Sequence, residues 1–135
     1  MKLAIAASLI GACVLLGACA KKKAAADSVN IRSVGAQEFN TLLNAKDPKT
    51  VLIDIRTPQE YAEGHIAGSL NMDFYAADFK AHLAALDHAK TYLMYCRSGN
   101  RTRQAAALAD TLGLTLVVLE RGIHEWVSNN LPLEK

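Results

Sequence analysis

From Val29 to the end of the chain, short apolar runs alternate with segments of helical spacing, and few folds satisfy that alternation. The runs Val29–Ile31, Val51–Ile55, Ser69–Met72, Thr91–Tyr95 and Thr115–Leu119 have strand length. Between and after them, Phe39/Leu42/Leu43, Phe79/Leu83/Leu86, Ala105/Leu108/Ala109/Leu112 and Ile123/Trp126/Val127 recur at the three- and four-residue steps of a helix face. Strand alternating with helix predicts an α/β domain with a mainly parallel sheet of about five strands flanked by helices. Val51–Ile55 and Leu116–Leu119 are apolar at consecutive positions, as strands covered on both faces must be. Thr57-Pro58-Gln59-Glu60 is a capping box with proline at the first helical position, so a short helix starts there and stops near Gly64. Gly113 follows Leu112 as a left-handed helix stop would.

The N-terminus follows another logic. Lys2 precedes an apolar run from Leu3 to Ala20, broken in polarity only by Ser8, which is the pattern of a secretory signal. Its end, Leu16-Gly17-Ala18-Cys19, resembles the lipobox of bacterial lipoproteins, in which cleavage leaves a lipid-modified Cys19 at the new N-terminus. The expected organisation is a signal peptide over 1–18, a lipidated end and Lys/Ala-rich tether over 19–27, and one domain over 28–135. The protein is then exported and held by lipid on the periplasmic side. Ala20 lacks the aspartate that commonly marks inner-membrane retention, which favours the outer membrane. An uncleaved anchor is the competing reading, because 18 apolar residues just span a bilayer. Lys21–Lys23 also put more positive charge after the run than before it, against outward transfer.

Removing this segment changes what composition implies. About 115 residues remain, enough for one core of modest size. Taking Lys2, Lys21–Lys23 and Asp27 from the 15 Lys+Arg and 13 Asp+Glu of the whole chain leaves 11 and 12, a net of −1. That balance excludes a basic nucleic-acid binder. Of the 3 cysteines, Cys13 leaves with the signal and Cys19 carries lipid, so Cys96 is the sole free thiol in an oxidising compartment.

Cys96 follows the strand Thr91–Tyr95, at the end of a parallel strand where α/β sheets bind ligands. The loop Arg97-Ser98-Gly99-Asn100 leads into a helix near Arg101, and its successive N–H groups form a nest for negative charge. An ordinary cysteine of pKa near 8.5 is only about 3% ionised at pH 7, and a pKa of about 7 makes half the molecules reactive. The amides together with Arg97 and Arg101 are expected to supply that stabilisation. The alternative is a buried, inert cysteine. Burying Cys96 would be expected to bury Arg97 and Ser98 with it, which disfavours that reading.

Cys96-Arg97-Ser98-Gly99-Asn100-Arg101 resembles the active-site loop of rhodanese sulfurtransferases. Asp54-Ile55-Arg56-Thr57-Pro58-Gln59-Glu60-Tyr61 with Gly64-His65-Ile66-Ala67-Gly68-Ser69 is similar to that family's second signature, with Ala67 and Ser69 in place of the usual proline and alanine. Arg121-Gly122-Ile123-His124-Glu125-Trp126 resembles its C-terminal segment, with Arg121 where the first glycine is usual. The resemblance implies a single rhodanese-like domain in which Cys96 thiolate takes a sulfur from an anionic donor such as thiosulfate, and the resulting persulfide passes it to cyanide or a thiol. Arg97, Ser98, Gly99, Asn100 and Arg101 would bind the substrate. Asp54 and Arg56 would support the site by pairing with each other, with Glu60 or with the active loop. Arg103 is expected to extend the positive field at the mouth and Arg121 to influence which anions reach Cys96. His65 and His124 have structural roles on this reading, His82 and His88 are solvated on helix faces, and Trp126 closes the core. No metal-ligand spacing occurs and no cofactor is implied. Cysteine-dependent phosphatases and arsenate reductases share the anion cradle, but their loops place five residues between cysteine and arginine, whereas four separate Cys96 from Arg101. A tethered sulfur carrier with little turnover is the other alternative.

Overall fold

The computed structural model describes residues 30–135. The signal segment, Cys19, the tether and Val29 lie outside the described residues. The order of elements is β1 (Ile31–Val34), α1 (Ala36–Asn44), β2 (Thr50–Asp54), α2 (Pro58–Glu63), β3 (Leu70–Asn71), α3 (Phe79–Ala84), β4 (Thr91–Tyr95), α4 (Asn100–Thr111), β5 (Thr115–Leu119) and α5 (Gly122–Ser128). All pairings between the five strands are parallel, and the strands lie in the order β1-β5-β4-β2-β3.

The central strands are those with the longest apolar runs. β4 and β5 are buried at four consecutive positions each, so their side chains feed two cores, one on each face of the sheet. One face holds Phe79 and Leu83 of α3 with Ala105 and Ala109 of α4. The other holds Ala36 and Phe39 of α1 with Ile123 and Trp126 of α5. Trp126 is 2% exposed, meets the Phe39 ring edge-on at 6.3 Å, and donates its indole N–H to the Pro132 carbonyl at 2.9 Å. Each such aromatic or branched side chain stabilises by about 1.5–3 kcal/mol when fully buried.

Sheet edges depart most from the sequence pattern. β1 runs on to Val34 through exposed Arg32 and Ser33, because an edge strand needs only Ile31 and Val34 inside to hold its register on β5. β3 shrinks to two exposed residues. The capping box forms as expected: Thr57 Oγ1 accepts from Glu60 N at 3.3 Å while Glu60 Oε2 accepts from Thr57 N at 3.0 Å. After α4, Gly113 adopts φ 71° and Leu114 N–H closes back on the Ala109 carbonyl. Among the described residues no helix is long and apolar enough to cross a membrane.

Parallel strands place all their carboxyl ends at one edge. Asp54 of β2 stands beside Tyr95 of β4, and the chain leaves β4 at Cys96 and β5 at Glu120 on that same side. The site is assembled there.

Candidate active site

At the end of β4 the chain turns so that the Cys96 side chain drops into the core shared by α3 and α4. Gly99 closes the turn at φ 96°, and a Cβ there would lie 2.1 Å from the Glu120 carbonyl oxygen. Only glycine fits. This conformation aims the Gly99 N–H at the Cys96 Sγ, 3.1 Å away. Thr102, one turn into α4 and buried, places its Oγ1 3.7 Å from the sulfur and 3.0 Å from the Gly99 carbonyl, to which it donates. Burial pushes the Cys96 thiol up, but hydrogen bonds from the Thr102 N–H and hydroxyl and from the Gly99 and Ser98 N–H groups outweigh it, and the net shift is downward. The structure therefore contains the anion nest.

Two expectations about the loop need correction. Cys96 has no exposed surface, yet Arg97 and Ser98 are exposed, so burial of the sulfur does not carry its neighbours inside. The sulfur points beneath the loop while the next two side chains splay outward over it. Secondly, the direct contacts to the sulfur are hydrogen bonds from amides and a hydroxyl, and Arg101 acts on it only through its charge. Arg97 Nε donates to His124 Nε2 at 3.3 Å. Arg101 forms a two-pronged pair with Glu60 at 2.7 and 2.9 Å, and its Cζ lies 5.5 Å from the centre of the Tyr75 ring. The Arg101 hydrogen bond holds the Glu60 carboxyl down at about 2, and Glu60 in turn raises Arg101, with the charge of Cys96 a lesser contribution. Asn100 opens α4 with its side chain exposed, accepting from Arg103.

Of the partners considered for Asp54 and Arg56, the structure selects each other. Asp54 is fully buried, and both of its oxygens accept from Arg56 Nε, at 3.1 and 3.0 Å, with Oδ2 also accepting from Nη2 at 2.8 Å. Nη2 also donates to the Gly64 carbonyl, and Asn71 donates to the carbonyls of both Asp54 and Arg56. The pair thus ties β2 to the end of α2 and to β3. Glu60 and the active loop meet through Arg101 instead. His65 is buried, stacks on Tyr61 at 3.8 Å and forms a two-way backbone bridge to Glu134, a structural role. His82 is solvated on α3, and exposed His88 lies in the turn beyond that helix rather than on its face. A cavity of about 550 Å³ lined by Arg56, Gly64, Ile123, His124 and Leu133 opens beside the Arg97–His124 contact and does not include Cys96. Among the described residues no group of three or more His, Cys, Asp or Glu could hold a metal ion.

Two residues at the site, Thr102 and Gly122, were given no role by the sequence reading, and a third, Glu60, was given other partners. Thr102 carried no signal beyond its spacing from Cys96. Glu60 was visible as a helix cap, but its partner is 41 residues away. Gly122 adopts φ 66°, and a Cβ there would lie 2.5 Å from the carbonyl oxygens of Cys96 and Arg97, so it lets α5 start against the active loop, with Ile123 N–H donating to Cys96 O at 2.8 Å.

The arrangement has close counterparts among known proteins. A family model described as a rhodanese-like domain matches residues 35–129. The thiosulfate:glutathione sulfurtransferase of Saccharomyces cerevisiae is 32% identical over 112 residues, covering 74% of this chain and 81% of its own length. The thiosulfate sulfurtransferase GlpE of Pseudomonas aeruginosa is 38% identical over 79 residues, 57% of this chain and 69% of that one. The crystal structure of a rhodanese-related protein from Thermoplasma volcanium superposes with a TM-score of 0.67 at 28% identity, over 76% of this chain and 97% of that one. With its single parallel-sheet domain and its cysteine loop at the carboxyl end of β4, the chain belongs to the rhodanese-like domain family.

Proposed function

We propose that the protein is a sulfurtransferase that moves sulfane sulfur from an anionic donor such as thiosulfate to cyanide or a thiol through a persulfide on Cys96. The observation that carries this reading is the sulfur held by the N–H groups of Ser98, Gly99 and Thr102, with its pKa lowered despite complete burial. In the first half-reaction the Cys96 thiolate attacks the outer sulfur of thiosulfate. A Cys96 S–S bond forms, the donor's own S–S bond breaks, and its electron pair leaves with sulfite. In the second, a nucleophilic acceptor attacks the outer sulfur and Cys96 departs as thiolate. No general base is needed, because both leaving groups are anions stabilised by solvent or by the nest. With the sulfur fully covered, the 97–99 turn or its rim must open to admit the donor.

Complete burial also favours one second reading, a sulfur carrier whose persulfide is shielded and whose turnover with thiosulfate is negligible. A thiosulfate:cyanide assay separates the two: Cys96-dependent turnover supports the enzyme, and persulfide without turnover supports the carrier. Loss of p-nitrophenyl phosphate hydrolysis in Cys96→Ser would instead point to a phosphatase. The placement is likewise a proposal: lipid on Cys19 holds the domain at the periplasmic face of the outer membrane, supported by the Leu16-Gly17-Ala18-Cys19 segment. Mass analysis of the purified N-terminus tests it.

A further inference from the structure

Arg97, Arg103 and Arg121 lie on the active loop, on the first turn of α4 and on the turn that crosses the loop, and among the described residues none of them has a carboxylate partner. Two glycine contacts bring them together. A Cβ on Gly99 would lie 2.1 Å from Glu120 O and 3.1 Å from Arg103 Nη1, and a Cβ on Gly122 would lie 2.5 Å from the carbonyl oxygens of Cys96 and Arg97. The 97–99 and 120–122 turns therefore cross backbone to backbone, with Arg121 at the crossing. All three arginines are exposed. Arg97 donates to His124, Arg103 to Asn100, and the Arg121 guanidinium makes no hydrogen bond or ion pair with any described residue. Of the neighbouring acids, Glu125 turns its carboxylate to the amides of Ala36 and Arg121 rather than to a guanidinium group. Arg101, nearer the sulfur, is neutralised by Glu60. Free positive charge thus lies on the outer rim rather than at the mouth.

We infer that this rim is a subsite for the carboxylates of a low-molecular-weight thiol acceptor, an inference that rests on the sulfurtransferase reading. In thiosulfate the sulfonate is one bond from the reacting sulfur and stays at the mouth. A thiol whose carboxylates lie several bonds from its sulfur reaches the rim while that sulfur lines up with the persulfide. Guanidinium groups recognise carboxylates in a two-pronged geometry that a neutral thiol cannot use. In this step the acceptor thiolate bonds to the outer sulfur, the bond to Cys96 Sγ breaks, and the acceptor leaves as its persulfide.

The test compares kcat/KM for glutathione with that for 2-mercaptoethanol, at saturating thiosulfate, in the full chain and in Arg121→Gly, Arg103→Gln and Arg103→Lys. The glutathione-to-mercaptoethanol ratio is expected to fall about two- to fivefold in Arg121→Gly and Arg103→Gln, through KM for glutathione, as for loss of one charge-assisted contact at an exposed site. Arg103→Lys should restore part of it. An unchanged ratio with persulfide still forming on Cys96 would overturn the subsite and leave the sulfurtransferase reading standing, as would a matching rise in KM for thiosulfate. Absence of persulfide in the unmodified chain would overturn both.

Discussion

The Thr102 hydroxyl has two possible acceptors, the Gly99 carbonyl at 3.0 Å and the Cys96 sulfur at 3.7 Å, and the charge on the sulfur decides between them. While Cys96 is a neutral thiol, the hydroxyl is best used on the carbonyl. Once Cys96 is a thiolate, the same hydroxyl can turn to it, joining the Thr102, Gly99 and Ser98 N–H groups in holding the pKa below its ordinary value. Thr102→Val keeps the buried volume and removes the hydroxyl. The thiolate loses one donor, so its pKa should rise. The rate of Cys96 alkylation against pH should move to higher pH, and no movement would leave the amides as the whole cause. Cys96 and Gly99 were legible because a strand end, a glycine and a helix start punctuate the sequence around them. Thr102 was not, since a threonine one turn into a helix has the same pattern whether it faces water or a sulfur.

Among the elements, α2 does more than its six residues suggest. Its capping box fixes Glu60, and Glu60 holds Arg101 at the mouth of the active loop, so a helix start read from local sequence also positions a residue of α4. Glu60→Gln should destabilise the fold by about 1–2 kcal/mol near neutral pH, the range of a partly buried, two-pronged pair. The sign with pH follows from the lowered carboxyl. Its contribution is fully present above the ordinary value of 4.5 and is lost as pH falls through about 2. In urea unfolding, the gap between the native chain and the variant should narrow steadily from pH 5 to pH 2, and a constant gap would mean that the Glu60 charge does not contribute. Element boundaries were most legible where burial is greatest: β4 and β5 coincide with the apolar runs Thr91–Tyr95 and Thr115–Leu119. β1 and β3 drifted because edge strands carry polar or exposed residues that blur the period.

At the scale of the whole molecule, the parallel sheet separates two poles. Asn30, where the described residues begin, accepts from Leu116 N–H at the start of β5, whereas Cys96 leaves the opposite ends of the strands. Leu116 is fully buried at the N-terminal half of a central strand, remote from the active loop. Leu116→Ala should cost about 2–5 kcal/mol in urea unfolding, and a loss below 1 kcal/mol would mean that the central strands are not the seat of stability. Alternation of strands and helices was enough to give the fold class. The order β1-β5-β4-β2-β3 was not legible, because it depends on pairings between runs far apart in the chain, such as Ile31 with Leu116. The central claim is that Cys96 carries sulfur, and intact mass after incubation with thiosulfate tests it most directly. The account predicts a gain of one sulfur atom that is reversed by cyanide and absent in Cys96→Ser. No gain with thiosulfate or with any other sulfane donor would contradict it.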